Sequence, residues 1–176
     1  MSVLDRIQAL LGEKQAAFAL SSHRPVYTSE EAAQVRGEDL KTGAKALIVR
    51  AKDAFVMFVL PGDRRLDSKR IKAHLGCKSL RFATAEEVEG LTGLRAGSIP
   101  PFGSLFGIAT YCDRALSENE RINFNAGSHT ESINLRYEDY IRVERPVLAD
   151  FSEDKLEPVQ RAVPLRTRYP SLCCAL

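Results

Sequence analysis

The sequence predicts a single domain of the α+β class (mixed α/β), in which helices surround a central mixed, largely antiparallel sheet. The chain has 176 residues, of which 44% are hydrophobic, which is enough for one buried core but not comfortably for two. Helical patterns and β-type runs are interspersed without the strict alternation of a doubly wound fold. The apolar runs 44–50 and 54–60 are separated only by a short polar turn, which indicates an antiparallel hairpin.

Four helices are predicted from apolar spacing and from terminal signals. Apolar residues near the N-terminus recur at helical spacing and predict a first helix over residues 2–16. The other three segments each begin at a capping side chain and end at a glycine, over residues 28–37, 67–76 and 84–93. In the first and last of these, the capping threonine is followed three residues later by glutamate, which is the capping-box pattern.

Runs of β-branched and aromatic residues predict the strands. Beyond the hairpin, longer runs cover 104–112 and 121–125, and shorter candidates lie near Leu20, Leu80, Ile133 and Val147. After Phe151 the pattern changes, because Pro158, Pro164 and Pro170 interrupt a segment without sustained periodicity. We therefore expect a domain at residues 1–151 and a C-terminal extension at residues 152–176.

The composition gives no sign of export or of a membrane partner. The longest apolar stretch, residues 54–60, is too short to cross a bilayer, and the N-terminus lacks a basic region followed by an apolar run. The four cysteines, two of them adjacent at positions 173 and 174, fit neither a disulfide framework nor a CxxC metal half-site. These features favour the cytoplasm. The last four residues, Cys173–Leu176, formally fit a prenylation pattern, which would matter only in a eukaryotic source.

A basic stretch is the candidate contact with nucleic acid. The formal net charge is only +2, so affinity for a polyanion must come from local clustering. Between residues 64 and 81, seven basic side chains accompany a single acid, Asp67; the first five are Arg64, Arg65, Lys69, Arg70 and Lys72. Such a run is either a phosphate-facing patch or a solvated helix face, and the spacing leaves both interpretations open.

The chain lacks the common catalytic signatures. It contains no GxxxxGK[ST], Rossmann glycine, HExxH or GxSxG motif. Its three histidines, His23, His74 and His129, are too scattered for a metal site local in sequence. The sequence therefore disfavours a zinc hydrolase, a nucleotide-phosphate enzyme and a serine esterase, and predicts no metal or cofactor.

Lys45 is the first candidate functional residue. It enters a strongly apolar strand on the same face as Leu47 and Val49. A buried ammonium is costly unless an anion accompanies it, and a phosphate, a developing oxyanion or a protein carboxylate could serve. Alternatively, the lysine stem packs near the start of the strand while the amine reaches water.

Two polar loops are further candidates. In the loop Gly97-Ser98-Ile99-Pro100-Pro101-Phe102-Gly103, consecutive prolines restrict the backbone while the glycines permit close approach, so it is either a stiff ligand-binding loop or an ordinary connection. A polar turn from Asn123 to Glu131 follows a predicted strand. Its His129 and Glu131 are suited to orient a water or a substrate amine, although tight turns commonly use the same residue types.

In this order, the segments resemble the YbaK/ProX superfamily, which includes the insertion editing domain of bacterial prolyl-tRNA synthetases and its freestanding relatives. The similarity covers roughly residues 1–151. It is carried by five segments: Gly43-Ala44-Lys45-Ala46-Leu47, Leu66-Asp67 to Leu75-Gly76, Glu86-Glu87-Val88 to Leu91-Thr92-Gly93, Gly97 to Pro101, and Phe124-Asn125-Ala126-Gly127. The individual segments are short, but the ordered set is specific.

The resemblance implies hydrolysis of the ester that links a mischarged amino acid to tRNA, with an aminoacyl-tRNA synthetase as a possible partner. It implies that Lys45 is the essential side chain, holding a terminal phosphate or the ester carbonyl, and that the GxxxP loop lines the aminoacyl pocket. Because an aminoacyl ester is already activated, positioning of water and stabilisation of charge would suffice. The substrate-binding set is then Gly97, Ser98, Ile99, Pro100, Pro101, Asn125, Ala126, Gly127, Ser128 and His129.

Amino-acid preference is suggested by one departure from the family pattern. Some alanine-specific members carry a histidine after the Asn-Phe pair, where this chain has Asn125. The pattern is closer to members associated with serine and threonine, so small hydroxylated amino acids are expected. The competing interpretation is a non-catalytic tRNA-binding or regulatory module on the same fold.

Overall fold

The computed structural model describes residues 1–155, and within them it contains five helices and ten strands. The helices are α1 (Val3–Glu13), α2 (Ser29–Arg36), α3 (Ser68–Leu75), α4 (Ala85–Thr92) and α5 (Tyr137–Glu144). The strands are β1 (Phe18–Ser22), β2 (Ala44–Ala51), β3 (Ala54–Pro61), β4 (Arg64–Leu66), β5 (Leu80–Phe82), β6 (Ala109–Asp113), β7 (Arg121–Asn125), β8 (Glu131–Arg136), β9 (Val147–Ala149) and β10 (Ser152–Asp154). The predicted α+β class is confirmed.

The central sheet is mixed, with strand order β5-β2-β3-β6-β9. The predicted hairpin is confirmed, since β2 and β3 pair antiparallel from Ala44↔Pro61 to Ala51↔Ala54. Strand β5 also pairs antiparallel with β2, whereas β6 lies parallel to both β3 and β9. A second, antiparallel sheet has the order β1-β8-β7, and a single bridge between Gly43 and Asn123 joins it to the start of β2.

The two faces of the β2–β3 hairpin pack in two different hydrophobic clusters. The larger cluster includes Ile48 and Met57 from the hairpin, together with buried residues of α1, β7, β8 and α5. The smaller cluster includes Val49 and Phe58, packed with Ile71 of α3 and with Phe151. Because successive side chains of a strand point to opposite faces, Lys45 is on the face of β2 that carries Val49 and the smaller cluster.

The helix ends follow the predicted capping signals, with two differences. Three predicted helices begin at Thr28, Asp67 and Thr84, whose side chains accept backbone N–H groups, and end at left-handed glycines. Helix α1 ends at Glu13 instead of residue 16, because the chain turns through Gln15 at a φ of 52°. Helix α5 was not predicted, and its N-terminus has no side-chain cap that would have signalled it.

The expected strand over residues 104–112 is correct only in its second half. Residues Gly103–Phe106 form a 3-10 turn, and β6 begins at Ala109. The two parts are separated by Gly107, whose φ of 68° is incompatible with an extended strand.

The first residues of the expected extension are part of the fold. Strand β10 pairs antiparallel with β4, from Ser152↔Leu66 to Asp154↔Arg64, and Ser152 is buried. The carboxylate of Asp113, only 3% exposed, accepts the backbone N–H groups of Phe151 at 2.9 Å and Ser152 at 2.7 Å.

The prenylation-like Cys173–Leu176 lies outside the described residues. None of the helices in residues 1–155 has the length and apolar character that a bilayer span requires.

Replacing Asp113 with alanine is expected to destabilise the protein by about 3 kcal/mol, because buried backbone donors would lose their acceptor. The free energy of unfolding in urea measures the effect. Asp150→Ala is the control: its carboxylate is 65% exposed in an ion pair with Arg114, so its loss is expected to stay below about 1 kcal/mol. Equal losses in the two variants would contradict the anchoring role of Asp113.

Candidate active site

A cleft of about 330 Å³ lies between α2, the start of β2, the end of β7 and the loop at residue 97. Its charged and polar lining includes Arg36, Lys45, Asn125 and Lys155. Its apolar lining includes Ala44, Ala46, Leu47, Ile99 and Phe124. The cleft therefore combines an apolar surface with several cationic and hydrogen-bonding groups.

Lys45 lines this cleft from the second residue of β2. Its ammonium donates a hydrogen bond to the main-chain carbonyl of Arg64 at 2.6 Å. Burial lowers the pKa of Lys45 from 10.5 to about 8; the positive charge of Lys155 adds to this effect, while Glu30 and Asp63 oppose it. The amine therefore keeps most of its charge at pH 7 and loses it as the pH rises through about 8.

The loop predicted from its prolines also lies at the cleft, but only in part. Gly97 and Ile99 line the cleft, whereas Ser98, Pro100 and Pro101 are buried outside its lining. Gly97 has a φ of 87°, a conformation that favours glycine. The structure thus places Lys45, Gly97 and Ile99 around one space.

The turn after β7 holds this loop in position. Asn125 lines the cleft, and its side-chain amide donates to the carbonyl of Gly97 at 2.7 Å. The backbone N–H of Gly127 donates to the carbonyl of Ser98 at 3.1 Å. The two segments identified separately in the sequence therefore form one hydrogen-bonded unit.

The remaining residues of the turn lie outside the cleft lining. Ala126 is buried, and Gly127 packs against Val3 so closely that an added Cβ would lie 2.9 Å from the Val3 Cβ. The Ser128 hydroxyl donates to Glu131 at 3.2 Å. The ring of His129 lies 4.8 Å from that of Tyr27, and its Nε2 is 3.1 Å from the carbonyl oxygen of Ala96. These contacts support the loop, and of the predicted set from Asn125 to His129 only Asn125 lines the cleft, beside Asn123 and Phe124 of β7.

Arg36, at the end of α2, is a cleft residue that the sequence analysis missed. Its guanidinium donates to the Asn125 side-chain oxygen at 2.6 Å and to the Ser132 hydroxyl at 2.8 and 3.0 Å. Desolvation lowers its pKa from 12.5 to about 10, opposed by Glu38. Ser29, Ala32 and Arg36 lie on one face of α2, and all three line the cleft. This helical spacing was the sequence signal that could have identified Arg36 as a cleft residue.

The five basic residues expected to bind RNA lie outside the cleft lining, and of these Arg64 contacts Lys45 through its carbonyl. Arg64 forms an ion pair with Asp154 and Arg65 with Glu153, both at 2.8 Å, while Arg70 pairs with Asp67 at 3.3 Å. Lys69 and Lys72 form no ion pair within the described part of the chain. Strand β10 thus neutralises part of the basic stretch, which the local sequence did not indicate.

Lys155 is the second cleft residue that was missed, because it lies in the expected extension. Its ammonium forms an ion pair with Glu30 of α2 at 2.7 Å.

Residues 1–155 contain no group of three or more side chains arranged to hold a metal ion, and their two cysteines, Cys77 and Cys112, are buried and free.

Comparison with known proteins agrees with this fold and cleft. The family model of the aminoacyl-tRNA editing domain matches residues 23–143. The Multifunctional Ser/Thr-tRNA deacylase ProXp-y of Escherichia coli strain K12 is 34% identical over 151 residues, which cover 83% of this chain and 90% of that protein. The chain therefore belongs to the aminoacyl-tRNA editing domain family, and the resemblance inferred from its motifs is confirmed.

Two further comparisons extend this assignment. The proline–tRNA ligase of Thermosipho melanesiensis is 39% identical over 82 residues, which are 46% of this chain and 14% of the ligase. The crystal structure of hypothetical protein APE2540 is 27% identical and superposes with a TM-score of 0.78, covering 84% of this chain and 99% of that one. The fold thus occurs both as a separate protein and as a small part of a synthetase.

Removing the Arg36 guanidinium is expected to loosen the loop that begins at Gly97, because Asn125 would lose the donor that orients its amide. In Arg36→Leu, the backbone amides of Ser98 and Gly127 are expected to exchange with solvent about tenfold faster. Hydrogen exchange followed by NMR measures this change. Arg136→Leu, which removes an exposed arginine paired with Glu138, is the matched control and should leave both rates unaltered. Unchanged exchange in Arg36→Leu would contradict the positioning role.

Proposed function

We propose that this protein hydrolyses the ester between a small hydroxylated amino acid, serine or threonine, and a mischarged tRNA, and that Lys45 is its essential catalytic side chain. The observation that carries the proposal is the placement of the Lys45 ammonium and the Gly97 backbone around one cleft of about 330 Å³. That volume is at the lower end for small-molecule pockets, which suits an aminoacyl group attached to one nucleoside.

The reaction is the addition of water to an activated ester. The water oxygen attacks the carbonyl carbon, the bond from that carbon to the ribose oxygen breaks, and the ribose oxygen leaves with a proton. The Lys45 ammonium either stabilises the negative charge that develops on the carbonyl oxygen or holds the phosphate of the terminal nucleotide. Both tasks require the protonated amine, and neither requires a metal ion or a protein nucleophile.

The preference for serine and threonine is supported by the relative in Escherichia coli and by the polar groups of the cleft. Thr28, Ser29 and Thr42 line it beside Asn123, whose amide donates to the Thr42 hydroxyl at 3.1 Å. A site that can hydrogen-bond a substrate hydroxyl discriminates against analogues that lack it. Ile99 and Phe124 add apolar surface that limits the size of the amino-acid side chain.

The basic stretch is proposed to contact the acceptor stem of the tRNA. Lys69 is exposed and Lys72 half-buried, and both lie on α3 before its left-handed glycine cap. The ion-paired Arg64, Arg65 and Arg70 would contribute less to phosphate binding.

We also propose a cytoplasmic location, where free thiols persist, and delivery of the substrate by a synthetase.

Lys45→Ala is expected to reduce deacylation by about 100-fold or more, as for removal of one electrostatic contact at a reacting centre. The assay measures hydrolysis of tRNAs charged with alanine, serine, threonine, cysteine and proline. Lys14→Ala, which removes a lysine paired with Glu13 outside the cleft, is expected to retain wild-type rates. Binding of charged tRNA without hydrolysis would instead indicate the non-catalytic module, and full activity in Lys45→Ala would refute the mechanism.

The enzymatic rate is expected to fall as pH rises through about 8, because the Lys45 ammonium then loses its proton. At about pH 9 the charged fraction, and with it the rate, should be about tenfold below its plateau near pH 7. The rate is measured with the spontaneous hydrolysis of the ester subtracted at every pH. A rate that instead increases through this range would show that the neutral amine acts as a base.

A further inference from the structure

We propose that Lys155 is a second substrate-binding residue of this site, which binds the phosphate of the terminal tRNA nucleotide together with Lys45. The inference rests on the proposed function, and it places a residue from outside the expected domain in the site. Lys155 lines the same cleft as Lys45, although 110 positions separate them in the sequence (155 − 45).

The backbone before Lys155 is held in place by the fold. Strand β10 pairs with β4 up to Asp154↔Arg64, and the backbone N–H of Lys155 donates to the carbonyl of Asp63 at 3.2 Å. The next carbonyl along the chain, that of Arg64 at the start of β4, accepts a hydrogen bond from the Lys45 ammonium at 2.6 Å. The backbone of Lys155 and the ammonium of Lys45 are therefore held by the carbonyl groups of two adjacent residues, Asp63 and Arg64.

Acidic and basic groups both surround the two amines, so an anionic ligand competes with protein carboxylates for them. Lys155 lies close enough to Lys45 that its charge helps to lower the Lys45 pKa. Two acids, Glu30 and Asp63, face Lys45. The pKa of Glu30 is lowered mainly by the hydrogen bond that it accepts from Lys155. The rest of the cleft is lined by further charged residues: Arg36, Glu38 and Asp39. Two like charges in a partly desolvated site favour an anionic ligand that contacts both.

Glu30 is the group that the phosphate would replace. Its carboxylate accepts the Lys155 ammonium at 2.7 Å, and its side chain is 59% exposed, so the pair is a weak surface interaction. A phosphate carries similar charge and more acceptor oxygens, and it can engage both amines where Glu30 bonds only Lys155. The ion pair thus holds Lys155 at the rim of the cleft until substrate binds.

Two variants that break the same ion pair give opposite expected results. In Lys155→Met, KM for seryl-tRNA should rise about tenfold with little change in kcat, and the alkaline limb of the pH profile should move to higher pH, because a positive neighbour of Lys45 is lost. In Glu30→Gln, KM should be unchanged or lower, and the limb should move to lower pH, because a negative neighbour is lost. If both variants raise KM and shift the profile in one direction, the pair is only structural and the inference fails.

Binding of adenosine 5′-monophosphate and of adenosine separates this inference from the proposed function. The wild-type protein should bind the monophosphate about tenfold more tightly than the nucleoside, and this difference should largely disappear in Lys155→Met but persist in Lys155→Arg and Lys14→Met. A preference that survives in Lys155→Met overturns the role of Lys155 even if the protein is a deacylase. Absence of hydrolysis by the wild type, with the expected binding pattern, would refute the deacylase function and leave the phosphate contact standing.

Discussion

The hydrogen bond between the Lys45 ammonium and the Arg64 carbonyl is the contact on which the organisation of the cleft depends. A lysine near the start of a buried strand needs a polar partner, and here the partner is the main-chain carbonyl of Arg64, the first residue of β4. Strand β4 also pairs with β10 and so determines where the chain runs after residue 151. The amine is thereby held at the wall of the cleft, partly desolvated and still available to an anion.

The opposite wall is rigid for a different reason. The GxxxP loop has little regular secondary structure of its own, but its carbonyl groups at Gly97 and Ser98 are held by Asn125 at the end of β7 and by Gly127 in the turn after it. Arg36 in turn orients Asn125 from helix α2. Three separate elements therefore determine the position of one backbone segment, which is how a loop becomes a preorganised binding surface.

Under the proposed function, these two walls supply the groups that hydrolysis of an aminoacyl ester needs. Hydrolysis of an aminoacyl ester requires that the ester and the attacking water be held in a reactive orientation. It also requires a positive charge near the negative charge that develops on the carbonyl oxygen. The cleft supplies a cation on one side and a fixed backbone on the other, with Ile99 and Phe124 as apolar surface. The chain belongs to the aminoacyl-tRNA editing domain family, and the mechanism proposed for it uses positioning in place of a strong nucleophile.

The sequence by itself determined the features that depend on neighbouring residues. The hairpin from Ala44 to Pro61, the capped helix ends and the identity of Lys45 and the GxxxP loop as candidates all follow from short-range patterns. Tertiary structure alone decided that Arg36 bonds Asn125, 89 residues away, and that Lys155 meets Glu30, 125 residues away. Such contacts leave no local periodicity, because their geometry depends on how the two sheets and the C-terminal strand pack around the core.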